Sequence, residues 1–81
     1  MKLIYLEWED AKTYPAWQYE DDIDFNKAHI NRQAAWLIRE TPKYMFVAGI
    51  VASDGKDWQD QFANVTKIPK TWIRKRKTLI P

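Results

Sequence analysis

Apolar and polar positions alternate near the start of this chain and merge into a continuous apolar run near its middle. From Lys2 to Trp8, Ile4, Leu6 and Trp8 fall on one face and Leu3, Tyr5 and Glu7 on the other. That period of two predicts a half-buried strand. No period persists from Glu9 to Asn26, where Pro15 and a cluster of acids predict a long loop. The segment 31–40 is ambiguous: Ile30, Ala34, Leu37 and Ile38 share one helical face, while Ala34, Trp36 and Ile38 alternate as in a strand.

Thr41-Pro42-Lys43 predicts a turn, with proline at its favoured second position. Tyr44 to Ala52 follows, β-branched and aromatic and apolar on both faces, as expected of a central strand. Ser53-Asp54-Gly55-Lys56 predicts a second turn, because the Asp-Gly pair favours positive φ. The Trp58/Phe62 spacing permits one helical turn over 57–62. Ala63 to Ile68 reads as a strand, Pro69-Lys70-Thr71 as a tight turn and Trp72 to Leu79 as a last strand. Five short strands in one domain of 81 residues predict a mainly β fold, either a small barrel or a curled antiparallel sheet.

Such a domain buries only about 60–65% of the surface its unfolded chain exposes. With no cysteine, neither a disulfide nor a thiolate metal site supports the thin core. Five tryptophans, four tyrosines and three phenylalanines are expected to compensate, each burying roughly 150–250 Å². The opening apolar run is too short for the core of a signal peptide, and no stretch approaches the roughly 20 apolar residues of a membrane span. A soluble intracellular protein is expected. The net charge of +2 is unevenly spread: residues 1–30 carry seven acids against three bases, and residues 61–81 carry six bases and no acid. That polarity suits self-association or a partner with one strong sign of charge.

Three segments carry a resemblance: Leu6-Glu7-Trp8-Glu9-Asp10-Ala11, Ala35-Trp36-Leu37-Ile38-Arg39-Glu40-Thr41 and Ile68-Pro69-Lys70-Thr71-Trp72-Ile73. In that order and spacing the chain resembles small uncharacterised proteins encoded by tailed bacteriophages. The resemblance spans most of the chain and implies origin and fold rather than an activity. It implies a strand over 31–40 and an SH3-like five-stranded domain over 1–81. In that fold a 3₁₀ turn carrying Pro69 and Trp72 links the last two strands, and Glu20 to Asp24 belong to the long loop after the first. The tandem tryptophans and the glycine of the SH3 peptide groove have no counterpart, so the fold is implied without its proline-peptide ligand.

Catalysis is not expected. The single histidine, His29, and the single serine, Ser53, lack a cysteine or nucleophile-elbow glycines around them. Asp22-x-Asp24-x-Asn26 mimics the opening of a calcium loop, but Lys27 stands where glycine is required and Gln33 where a bidentate glutamate is. Neither a metal nor another cofactor is therefore expected.

Two surfaces remain as binding candidates. Tyr14, Trp17 and Tyr19, beside Glu20, Asp21 and Asp22, either pack down as a lid or form a recognition surface for a basic protein partner. The run Arg74, Lys75, Arg76 and Lys77 either guards an edge strand or, with Lys67 and Lys70, contacts phosphate, Trp58 or Trp72 offering a stacking plane. The leading expectation is a non-enzymatic binding protein that engages a host or phage protein in the host bacterial cytoplasm and modulates a host process or defence. A nucleic-acid-binding module and a small virion component are the alternatives. No membrane partner is expected.

Overall fold

The structure, a computed structural model, describes residues 1–11, 14–53 and 60–81. Its described residues form five strands: β1 (Leu3–Glu9), β2 (Ile30–Glu40), β3 (Tyr44–Ser53), β4 (Asp60–Pro69) and β5 (Ile73–Ile80). Short 3₁₀ turns occur at Glu20–Asp22 and Lys70–Trp72. All strand pairs are antiparallel, and the sheet order is β4-β3-β2-β1-β5. The segment 31–40 is strand, so its helical spacing is overridden by pairing on both sides. Asp60 to Phe62 is also strand, which corrects the helical turn expected there. The expected turn over 54–56 and Trp58 lie outside the described residues.

Of the two forms expected, barrel or curled antiparallel sheet, the structure takes the second: the sheet is open, and β4 and β5 remain its two edges. Those edges are nonetheless joined by one three-residue turn, Lys70–Trp72. In a flat sheet, four steps of about 4.8 Å would hold them about 19 Å apart. Three 3₁₀ residues rise only about 2 Å each. The sheet must therefore curl until its edges approach at this turn. The strands are also staggered. β4 ends beside Tyr44, whereas β5 begins beside Trp8 at the far end of β1. Such stagger accompanies the tilt of strands in barrel-like sheets. Pro69 suits this corner because its fixed φ of −59° enters the turn without needing a backbone N–H.

The core fills the concave side. Ile4, Leu6 and Trp8 from β1 meet Ala35, Met45, Val47 and Ile68, with Leu37 and Ile73 packed against them. The period of two in β1 produces this arrangement directly, since its burial alternates along the whole strand. Trp8 donates its indole N–H to Gln33 Oε1 at 2.7 Å, so the large aromatic is buried without an unpaired donor. Trp72, carried by the 3₁₀ turn, stacks on Trp8 with ring centroids 6.5 Å apart and planes 15° from parallel. The turn's backbone is fixed as well, by the Lys70 N–H donating to the Lys43 carbonyl at 2.8 Å.

β3 pairs with β2 only as far as Ala48, but with β4 as far as Ser53. Beyond Ala48 the two strands leave the sheet as a two-stranded ribbon. Gly49 and Asn64 face each other where the ribbon departs, and Asn64 has φ +55°, the one positive φ among the described non-glycine residues. Asparagine tolerates this region better than most residues. A Cβ at Gly49 would lie 3.3 Å from the Asn64 Cβ, so glycine leaves the room this kink uses. The molecule is correspondingly elongated, 56 × 25 × 21 Å, with a radius of gyration of 16.3 Å. A compact chain of this length would have about 12 Å.

Replacing Asn64 by valine forces a β-branched residue into the left-handed region and should cost about 1–2 kcal/mol in urea unfolding. Asn64→Gly should cost less than half of that, and equal losses for both would remove the backbone explanation.

Candidate functional sites: the acidic loop and the basic edge

The β1–β2 loop is tied at its base and open at its tip. The Asp10 N–H donates to the His29 carbonyl at 2.8 Å, and the Asn31 side chain donates to Asp10 Oδ2 at 2.9 Å. Within the loop, Asp24 Oδ1 accepts from the N–H groups of Asn26 and Lys27, both at 3.0 Å. Asp24 thus serves a local turn, the usual role of an aspartate side chain in such a segment. Among the described residues no cluster of three or more metal-ligating side chains forms.

The loop aromatics do not pack down as a lid. Trp17 is fully exposed, Tyr19 is 83% exposed and Phe25 is 71% exposed, while Tyr14 is half-buried. The 3₁₀ turn Glu20–Asp22 places three exposed carboxylates directly after Tyr19. Phe25 is a further aromatic of this surface that the spacing Tyr14-x-x-Trp17-x-Tyr19 does not include. Its signal was present as an apolar residue isolated among Asp24, Asn26 and Lys27, where no strand or helix period gives it a core position.

The basic candidates divide differently from a single patch. β5 is an edge strand, and alternation puts Arg74 and Arg76 on one side of it and Lys75 and Lys77 on the other. The first pair is engaged. Arg74 pairs with Glu9, and Arg76 grips both oxygens of Glu40, at 2.7 and 3.2 Å. Lys70 reaches the same carboxylate at 3.2 Å. Glu40 lies at the end of β2, and β1 separates β2 from β5 in the sheet, so this clasp crosses the mouth of the curl. The paired Arg76 guanidinium, with help from Lys70, holds the Glu40 carboxyl down to about 2 despite some opposing desolvation.

The second pair faces outward. Lys75 and Lys77 sit opposite Glu7 and Tyr5 on the convex face. Lys67 lies 4.1 Å above the Tyr44 ring and 5.9 Å from the Phe46 ring centre. Trp72 is spent partly on Trp8, so one of its faces is already covered. The structure therefore does not gather the six described cations of this site into one surface: Lys70, Arg74 and Arg76 hold the fold, and Lys67, Lys75 and Lys77 look outward. Among the described residues no helix is long and apolar enough to cross a membrane.

The Glu40 clasp has a pH signature. Its folded value lies below the ordinary 4.5, so its stabilisation is whole above about pH 4.5 and fades as pH falls toward 2. The groups are about a third or more exposed, so solvent screening holds the contribution to the order of 1 kcal/mol. Glu40→Gln should lower stability by that amount near neutral pH and converge with wild type near pH 2. A pH-independent difference in denaturant midpoint would remove the ion-pair explanation.

No known protein family matches this chain, and neither a curated protein nor a solved structure is similar to it.

Proposed function

We propose that this chain is a non-enzymatic, phage-encoded binding protein whose β1–β2 loop engages a host or phage protein with a basic surface, and so modulates a host process or defence. The observation carrying this reading is the full exposure of Trp17 beside Tyr19 and the carboxylates of Glu20, Asp21 and Asp22. Burying an exposed indole in a partner's pocket supplies the apolar part of the contact, since tryptophan and tyrosine dominate binding hot spots. The flanking carboxylates supply charge selection and speed association with a basic partner. The phage assignment rests on the sequence resemblance.

Nucleic acid binding stands second. Half of its six candidate cations are committed, because Arg74, Arg76 and Lys70 pair with Glu9 and Glu40. Lys67, Lys75 and Lys77 remain for phosphate.

The test is affinity capture of a stoichiometric partner from host lysate, followed by calorimetry with that purified partner. Trp17→Ala and the double change Asp21→Asn/Asp22→Asn should each weaken binding at least tenfold, the second mainly at low salt. Capture of no stoichiometric partner, or equal binding by Trp17→Ala and wild type, would count against the reading. Single-stranded nucleic acid bound with a steep salt dependence, and lost on neutralising Lys67, Lys75 and Lys77, would favour the second one.

A further inference from the structure

The strand registers bring together something that no linear stretch of the chain shows. Ile80, Leu3, Trp36, Ala48 and Val65 are mutual neighbours across the sheet, one from each of the five strands. They lie on the convex face, opposite the core. Ala48 makes the point: it is fully buried, yet it belongs to no part of the core cluster and sits between Trp36 and Val65. A sheet with one face on a core normally presents polar residues on the other. Here an apolar row crosses its full width.

The row widens toward the root of the ribbon. Ile38, Phe46 and Phe62 join Val65 and Arg39 around a shallow groove. Strict alternation would put Phe62 and Val65 on opposite faces, and the left-handed Asn64 between them explains why both line it. Half of Val65 and of Ile80 remains exposed. The row is flanked by cations, with Arg39 and Lys67 on one side and Lys77 on the other. Further along the face come Lys75 and Arg32, against the acids Glu7 and, at the end of β1, Glu9.

The same chain carries the complementary surface. Its β1–β2 loop exposes Trp17, Tyr19 and Phe25 among Glu20, Asp21, Asp22 and Asp24. Aromatic groups match the apolar row, and carboxylates match its cationic borders. The two surfaces sit at opposite ends of β1, since Leu3 begins that strand and the loop leaves after Glu9. The separation is about 20 Å at roughly 3.3 Å per residue, so the base of the loop and the row lie at opposite ends of the same strand.

We propose that the convex face receives the acidic, aromatic loop of a second copy of this chain, head to tail. Such a contact is heterologous: each copy keeps one unused loop or one unused face, so association continues into a ring or an open chain rather than stopping at a symmetric dimer. It goes beyond the binding function proposed above, and because both use the loop, a partner and a second copy compete for it.

Sedimentation of the full chain across concentration and salt tests this. Wild type should grow beyond a dimer with concentration, and added salt should weaken the growth by screening the charged borders. A loop variant, Trp17→Ser/Phe25→Ser, and a face variant, Val65→Glu/Ile80→Glu, should each sediment as a monomer. Mixed in equal amounts, they should form a one-to-one pair and nothing larger, because one intact loop and one intact face remain. Circular dichroism establishes that each variant is folded, and Arg39→Glu/Lys67→Glu provides a second face variant with the apolar row intact. A wild type that is monomeric throughout, a loop variant that still assembles, or a mixture that stays monomeric would each overturn the proposal. If Trp17→Ala loses a captured partner while wild type never self-associates, this inference fails and the function proposed above stands.

Discussion

Everything in this fold depends on joining two sheet edges through three residues. β4 and β5 lie at opposite sides of the hydrogen-bonded order, yet Lys70–Trp72 is all that separates them in the chain. That short connection curls the sheet, and the curl creates a concave side where nine apolar side chains can surround one another. Among the described residues there is no helix longer than a 3₁₀ turn and no second sheet to cover a flat one. Trp72 stacked on Trp8 fills the corner, while Glu40 bridges to Arg76 and Lys70 across the mouth. Packing and electrostatics thus reinforce a shape that connectivity imposes.

Much of this architecture is legible in the residues, and the reasons are local. Alternation in Lys2 to Trp8 identifies the strand and the face it buries, because a period of two needs no knowledge of neighbours. The apolar character of β3 on both faces is also readable, and its cause is now visible: Met45 and Val47 serve the core, Phe46 and Ala48 the convex side. The segment 31–40 could not be assigned from spacing, since Ile30, Ala34, Leu37 and Ile38 satisfy a helix as well as a strand. Pairing with β1 and β3 decides it, and pairing is not a local property.

What was not legible depends on register or on distance along the chain. The row from Ile80 to Val65 takes one residue from each strand, and a shift of one residue in any ladder would dissolve it. The bulges at Leu37/Arg39 and Leu3/Ile4, which set that register, leave no clear mark in composition. Glu40 is an unremarkable acid before a Thr-Pro turn until curling brings Arg76, thirty-six positions later, against it. The split of the basic run between a structural and an outward side follows from alternation alone, but its carboxylate partners do not. At the loop, the small size of the domain favours a packed-down lid over an exposed surface, and the exposure of Trp17 and Tyr19 decides for the second.

The ribbon that leaves the sheet at Gly49 and Asn64 has a hydrodynamic consequence. A radius of gyration of 16.3 Å is that of a compact protein of about 190 residues, more than two copies of this chain. A single molecule therefore meets the friction of a much heavier particle in solution. Its elution from a sizing column would imitate a dimer even with every contact between copies broken, whereas its mass from sedimentation equilibrium or light scattering would not.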